Sequence, residues 1–132
     1  MAGSALMRCM EHESGLELLT RDRARLDLTR QSQVEAFFAD QAIDWVFLAA
    51  AKGGGILANR DHPADFIRDN LQIQTNVIAA AHRAGVRRLL FLGSSCIYPR
   101  LASQPISEDA LLTGPLESSN EAYAVAKIAG MR

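Results

Sequence analysis

The chain has 132 residues, 48% of them apolar and 22% charged, with a formal net charge of −1. That length suits one domain over residues 1–132, and the composition is that of a folded domain rather than a disordered segment. The charge balance lacks the basic excess of a nucleic-acid partner, and no apolar run reaches the ~18 residues of a membrane span.

Residues 4–12 read as a helix with Ala5, Leu6, Cys9 and Met10 on its apolar side, ended by Gly15. Residues 16–20 and 26–29 read as two short strands on either side of the charged stretch Arg21-Asp-Arg-Ala-Arg25. Thr29 or Ser32 is expected to cap a helix that carries Val34, Phe37 and Phe38 at helical spacing. Residues 44–51 form a nearly continuous apolar run whose Val and aromatic content predicts a strand buried on both faces. Lys52 and three glycines break it. Asp61-His-Pro63 then opens a long helix to Ala84, with Phe66, Ile67, Leu71, Ile73, Val77, Ile78 and Ala81 buried and Gly85 as the stop. Residues 89–93 read as a second buried strand. Residues 94–120 hold Pro99, Pro105, Gly114 and Pro115 in a long irregular segment, and loops of that length in compact domains are usually functional. A last helix begins near Asn120 and carries Tyr123 and Lys127.

Strands alternating with helices predict an α/β fold with a doubly wound parallel sheet. Such sheets bind ligands at the carboxyl ends of their strands, where the loops after Ala51 and Gly93 lie. Cys9 and Cys96 form no C-x-x-C pair and no Cys/His cluster, so no metal site is expected. Two thiols without a disulfide framework fit a reducing, cytoplasmic compartment.

The strongest chemical signal is Tyr123-Ala-Val-Ala-Lys127. Residues four apart share a helix face, so a lysine ammonium there favours the phenolate and lets the tyrosine exchange a proton near neutral pH. The bare spacing is weak, since a surface tyrosine and a solvated lysine produce it more often. Context strengthens it: Ser94 follows an apolar strand, a long loop intervenes, and the Tyr/Lys helix comes last. That is the order of the Ser-Tyr-Lys set in short-chain dehydrogenases.

Four blocks make the resemblance specific: Ala49-Ala-Ala-Lys-Gly-Gly-Gly-Ile56, His62-Pro-Ala-Asp-Phe66, Phe91-Leu-Gly-Ser-Ser-Cys-Ile-Tyr-Pro99 and Asn120-Glu-Ala-Tyr-Ala-Val-Ala-Lys-Ile-Ala-Gly130. Together they resemble the GDP-L-fucose synthase family of extended short-chain dehydrogenases, over about residues 3–132. The resemblance implies a Rossmann-like NADP-binding domain and a multifunctional enzyme that is both oxidoreductase and isomerase. Such enzymes epimerise C3 and C5 of GDP-4-keto-6-deoxymannose and then reduce its C4 ketone with NADPH, giving GDP-L-fucose. It implies Ser94, Tyr123 and Lys127 as the reductase triad, Lys127 also touching the nicotinamide ribose, and Cys96 as an epimerisation acid/base. It further implies Arg23 at the adenosine 2′-phosphate, Leu26, Asp27 and Leu28 beside the adenine, and Ala49, Ala50 and Ala51 at the ribose and phosphate. Gly3, Leu92, Gly93 and Ser95 complete the implied NADP(H) contacts. A GDP-sugar is the implied substrate, and a homodimer is implied for the whole family enzyme.

Two departures from the family pattern carry expectations. Of the glycine-rich turn that opens a dinucleotide fold, Gly3 alone remains, and the strand before it is absent. The family's partner histidine lies beyond the Tyr/Lys helix, and His12, His62 and His82 do not match it. The chain is therefore expected to be a fragment lacking the first strand and the substrate domain, marginal in stability, poor at binding NADP and inactive alone. His62 is expected at a loop or helix cap and His82 on a helix surface. Another extended short-chain dehydrogenase acting on a nucleotide sugar, a 4-epimerase or 4,6-dehydratase, stays open, as does a non-catalytic remnant. Ser95-Cys96, where dehydratases commonly carry Asp-Glu, favours the fucose branch.

Overall fold

A computed structural model describes residues 2–132. The elements run α1 (Ala2–Met10), α2 (Gln31–Asp40), β1 (Trp45–Leu48), α3 (Ile56–Asp61), α4 (Pro63–Arg83), β2 (Arg88–Phe91) and α5 (Glu121–Met131). Two single 3-10 turns, Ser95–Ile97 and Glu108–Ala110, punctuate the irregular segment between β2 and α5.

β1 and β2 pair in parallel, from Trp45 opposite Arg88 to Leu48 opposite Phe91. The period of two puts Val46, Leu48, Leu89 and Phe91 on one face. That face closes on α2 and α4, where Val34, Phe38, Leu48, Val77, Ala80 and Ala81 form one buried cluster. On the other face Trp45, Phe47 and Leu90 are 52%, 39% and 48% exposed. The strands are therefore covered on one side, not on both as their apolar runs suggest. An apolar run reports what a strand can bury, whereas burial also needs a neighbouring layer.

Residues 16–20 and 26–29 form no strand. A strand persists through its ladder hydrogen bonds, and among the described residues the sheet has two strands only. Asp27 closes a local turn instead, accepting from the Thr29 amide at 3.0 Å and from Thr29 Oγ1 at 2.8 Å. Such side-chain bonds compete with secondary structure. They also engage the hydroxyl expected to cap α2, whose N-cap is Arg30 with no side-chain hydrogen bond.

α4 begins with Pro63 at its first turn, as its sequence predicts. Its end is a Schellman motif: the Val86 amide bonds the Ala81 carbonyl at 3.0 Å and the Gly85 amide bonds His82 at 3.1 Å. Gly85 takes a φ of +73°, which glycine adopts without a Cβ clash. His62 lies at the junction of α3 and α4, and His82 is exposed. The buried face of α4 differs from its apolar reading. Phe66, Val77 and Ala81 are buried as expected, but Ile67, Leu71, Ile73 and Ile78 are only half-buried, and Asp69, Asn70 and Gln74 are buried in their place.

α4 and α5 approach closely where Gly130 faces Gln74 and Phe91. A Cβ at Gly130 would lie 2.8 Å from Gln74 Cδ and 2.8 Å from Phe91 Cζ. Overpacking of this kind costs about 1–3 kcal/mol, while replacing a helical glycine by alanine gains up to about 1 kcal/mol. Gly130→Ala is therefore expected to lower stability by a net ~1–2 kcal/mol in urea unfolding. An unchanged or higher midpoint would show that the helix pair yields freely at this point.

Candidate active site

α5 sets Tyr123 and Lys127 one turn apart on the face turned toward β2. Lys127 is 3% exposed, and its Nζ donates to the Leu92 carbonyl at 2.9 Å. The ammonium also lies 4.5 Å over the Phe91 ring and 5.9 Å from the Tyr123 ring centroid. Burial holds the Lys127 ammonium below its ordinary pKa, and the charge of Cys96 opposes that shift.

Tyr123 is half-buried. Burial above all, and then the charge of Cys96, push its phenol above the ordinary value, while the neighbouring Ser94 hydroxyl pulls it down. This corrects the expectation that Lys127 favours the phenolate. The ammonium is turned onto the Leu92 carbonyl, and Lys127 is not among the groups that shift Tyr123. Tyr123 is thereby tuned to hold its proton.

The chain leaves β2 through Leu92 and exposed Gly93, and the turn Ser95–Ile97 folds it back with Ile97 buried. This turn brings Cys96 to Ser94, and Cys96 Sγ donates to Ser94 Oγ at 3.1 Å. Ser95 is exposed beside them. Four of the expected residues, Ser94, Cys96, Tyr123 and Lys127, thus form one group at the carboxyl end of β2.

The other expected residues lie on neighbouring segments. A Cβ on Gly3 would touch the Ala49 Cβ at 3.5 Å, so the start of α1 adjoins the carboxyl end of β1. Ala49 is half-buried, Ala50 and Ala51 are exposed, and no residue of α1 is buried. Leu26 and Leu28 pack at the edge of the core. The Thr29 bonds hold the Asp27 carboxyl below its usual range. Arg23 is exposed in a turn, without a side-chain hydrogen bond or ion pair among the described residues. Among the described residues no side-chain hydrogen bond or ion pair joins it to the group around Ser94.

Sequence reading missed the residues that hold these segments. Asn70, 2% exposed, accepts from the Lys52 amide at 2.9 Å and donates to the Lys52 and Phe66 carbonyls at 3.1 and 2.8 Å. Gln74, 3% exposed, donates to the Ala126 carbonyl of α5 at 2.6 Å, between Tyr123 and Lys127. Asn76 donates to the Leu28 carbonyl at 2.9 Å. Amides four apart inside an apolar helix stripe were the available signal. Among the described residues no cluster of three or more His, Cys, Asp or Glu is placed to hold a metal, and no helix is long and apolar enough to cross a membrane.

Parallel strands whose carboxyl ends carry a Ser-Tyr-Lys group define the nucleotide-dependent oxidoreductase and epimerase class. The chain matches the NAD dependent epimerase/dehydratase family over residues 1–132 and belongs to that family. It is similar to relatives named GDP-L-fucose synthase: 59% identical over 132 residues to "Putative GDP-L-fucose synthase 2" of Arabidopsis thaliana, and 54% identical to "GDP-L-fucose synthase" of Escherichia coli. Both matches cover all of this chain but 40% and 41% of the relatives, so the chain spans about two-fifths of their length. Among solved structures it resembles a Campylobacter jejuni GDP-mannoheptose C4 reductase described with NADP bound, at 39% identity and a TM-score of 0.93, over 98% of this chain and 41% of that one. The expected Rossmann-like α/β class and the resemblance to GDP-L-fucose synthases are both borne out.

The loop after β1 is pinned by charge as well. Buried Asp69 accepts from Lys52 Nζ at 2.9 Å and from Arg68 Nε at 2.8 Å. The Lys52 hydrogen bond first, with desolvation opposing and Arg68 assisting, holds its carboxyl below the ordinary value. A carboxylate depressed in the folded state contributes stability that is complete above its unfolded pKa and is lost as pH falls through the folded one. Asp69→Asn is therefore expected to flatten the loss of stability between about pH 5 and about pH 2, read as urea midpoints. An acid limb as steep as that of the parent would exclude Asp69 as a contributor.

Proposed function

We propose that this chain carries the NADPH-dependent chemistry of GDP-L-fucose synthesis: epimerisation at C3 and C5 of GDP-4-keto-6-deoxymannose, then reduction at C4. The observation that supports it is the meeting of Ser94, Cys96, Tyr123 and Lys127 at one strand end. It fits a multifunctional oxidoreductase and isomerase, since one site holds both an oxygen-directed phenol and a carbon-directed thiol.

The residues fit a dinucleotide. Lys127 has three N–H donors and uses one on Leu92, which leaves two for ribose hydroxyls. Small residues at Gly3, Ala49, Ala50, Ala51 and Gly93 leave the carboxyl edges open to a close-lying backbone or phosphate. Arg23 is free to meet a 2′-phosphate with forked, charge-assisted bonds. Leu26, Asp27 and Leu28 would border the adenine, and the amides of Leu92 to Ser95 would line the nicotinamide end. NADPH, when bound, supplies the hydride.

Tyr123 Oη gives its proton to the C4 oxygen as the ketone becomes an alcohol, and its raised pKa keeps that proton in place until then. Ser94 Oγ orients the same oxygen. Cys96 Sγ takes or returns a proton at the carbons beside the ketone, where the carbonyl makes C–H bonds acidic. The cytoplasmic placement rests on the unpaired thiols, and the homodimer on the family resemblance alone.

Calorimetric titration with NADPH tests the reading. Weak but saturable binding is expected, because no α1 residue is buried to stiffen the pyrophosphate end. Arg23→Ala should weaken it about tenfold, the worth of one charged hydrogen bond near 1.4 kcal/mol. Tyr123→Phe should leave binding intact and, in a protein of the relatives' full length, lower reduction of the keto sugar by about 10²–10⁴-fold, this chain alone being expected to be inactive. Binding indifferent to Arg23, or reduction indifferent to Tyr123, contradicts the reading.

A further inference from the structure

We propose that Gln74 is a positioning residue for Lys127. By gripping the Ala126 carbonyl from α4, it sets the depth of α5 at which the ammonium lies between the Phe91 ring and the Leu92 carbonyl, with two donors left for a ligand. The inference deepens the proposed function and rests on it for the ligand, a dinucleotide ribose.

The contacts converge on one turn of α5. Gln74 is 3% exposed, and its Nε2 donates to the Ala126 carbonyl at 2.6 Å. In a helix that carbonyl also accepts from the amide four residues on, here Gly130, and a carbonyl oxygen has two lone pairs. Gln74 therefore adds a bond to α5 without unmaking one. A Cβ at Gly130 would come within 2.8 Å of Gln74 Cδ and 2.9 Å of its Oε1, so the glutamine fills the space a side chain there would need. The same Cβ would meet Phe91 Cζ at 2.8 Å. Gln74, Gly130 and Phe91 thus meet at one point. The Lys127 ammonium lies 4.5 Å over the Phe91 ring, and the next residue, Leu92, takes its hydrogen bond at 2.9 Å.

Lysine is a point charge on a flexible four-carbon stem, so a single carbonyl does not fix it. The depth of its helix places it. Apolar contact between α4 and α5 has no direction and leaves that depth soft. The Gln74 bond has a direction, and it ends on the residue before Lys127. α4 is itself seated in the core through Val77, Ala80 and Ala81, so Gln74 ties the ammonium to the core. A glutamine that only satisfied its own amide would serve stability and leave Lys127 alone. The two roles separate when an apolar side chain of similar volume replaces Gln74.

The test is proton–nitrogen NMR of the lysine ammonium and glutamine amide groups in the whole chain, without NADPH or sugar. In the parent the Gln74 side-chain protons are expected to be protected from exchange, and the Lys127 ammonium signal to be displaced upfield by the ring beneath it. Phe91→Leu assigns that displacement. Gln74→Met should return the signal towards that of an exposed lysine and speed its proton exchange about tenfold, the worth of one hydrogen bond to a charged group. Gly130→Ala keeps the glutamine but crowds it off the carbonyl. It should move the signal in the same direction, and it decides the matter where Gln74→Met does not fold. Val34→Ala, a core truncation on α2, should lower stability and leave the signal in place. Gln74 protons that exchange freely in the parent overturn the proposal, as does an ammonium signal unmoved in the Gln74 or Gly130 variant. An equal displacement in Val34→Ala also overturns it, since the effect would then be one of stability alone. Calorimetric titration with NADPH is the second readout: Gln74→Met should weaken binding about tenfold, and Val34→Ala should not. Equal NADPH affinity in Gln74→Met and the parent would overturn the role in binding. A chain that binds no NADPH while its ammonium moves with Gln74 would defeat the proposed function and leave the positioning role standing.

Discussion

The site depends on a row of side-chain amides on α4. Asn70 and Gln74 are one helical turn apart and nearly fully buried, and Asn76 lies two residues further on. A buried amide without partners costs about 1–3 kcal/mol, so each must find a backbone group at a set place. Asn70 finds both backbone groups of Lys52, Gln74 finds the Ala126 carbonyl, and Asn76 finds Leu28. These partners belong to the loop after β1, to the Tyr/Lys helix, and to the turn beside the expected adenine position. Hydrophobic contact alone would let these segments slide. The amides fix their register.

The geometry of the candidate site follows from that placement. With α5 docked on Gln74, and with Gly130 permitting the close approach, Lys127 is pressed against Phe91 and the Leu92 carbonyl. Its ammonium is a fixed donor in a dry place rather than a mobile surface charge. The same docking half-buries Tyr123, which raises the pKa of its phenol. Cys96 and Ser94 reach it because a single 3-10 turn reverses the chain immediately after β2.

Much of this was legible in the sequence. The helices of residues 31–40, 63–83 and 121–131 follow from apolar spacing, Pro63 and Gly85, all local features. The nearness of Ser94, Tyr123 and Lys127 was legible from order and motif together, and Cys96 joined them in the sequence reading through the family resemblance alone. The strands at residues 16–20 and 26–29 were misread because a strand needs a partner, which no local pattern reveals. The two-sided burial of β1 and β2 failed for the same reason: Trp45, Phe47 and Leu90 are apolar without being covered. The direction of the Tyr123 shift was missed because spacing gives the distance between two side chains but not where the lysine points. The amide row escaped because Asn and Gln read as polar surface, and their pairing is known only when the carbonyls opposite them are known.

The most direct measurement is amide hydrogen exchange at Lys52 in the parent chain and in Asn70→Leu. The Lys52 N–H is bonded to the Asn70 side chain, not to a strand or helix ladder. If the amide row holds the site, this N–H is protected in the parent and exchanges freely in Asn70→Leu, while the amides of α4 and β2 keep their protection. Equal protection of Lys52 in both proteins would contradict that role, because the loop after β1 would then be held by something other than α4.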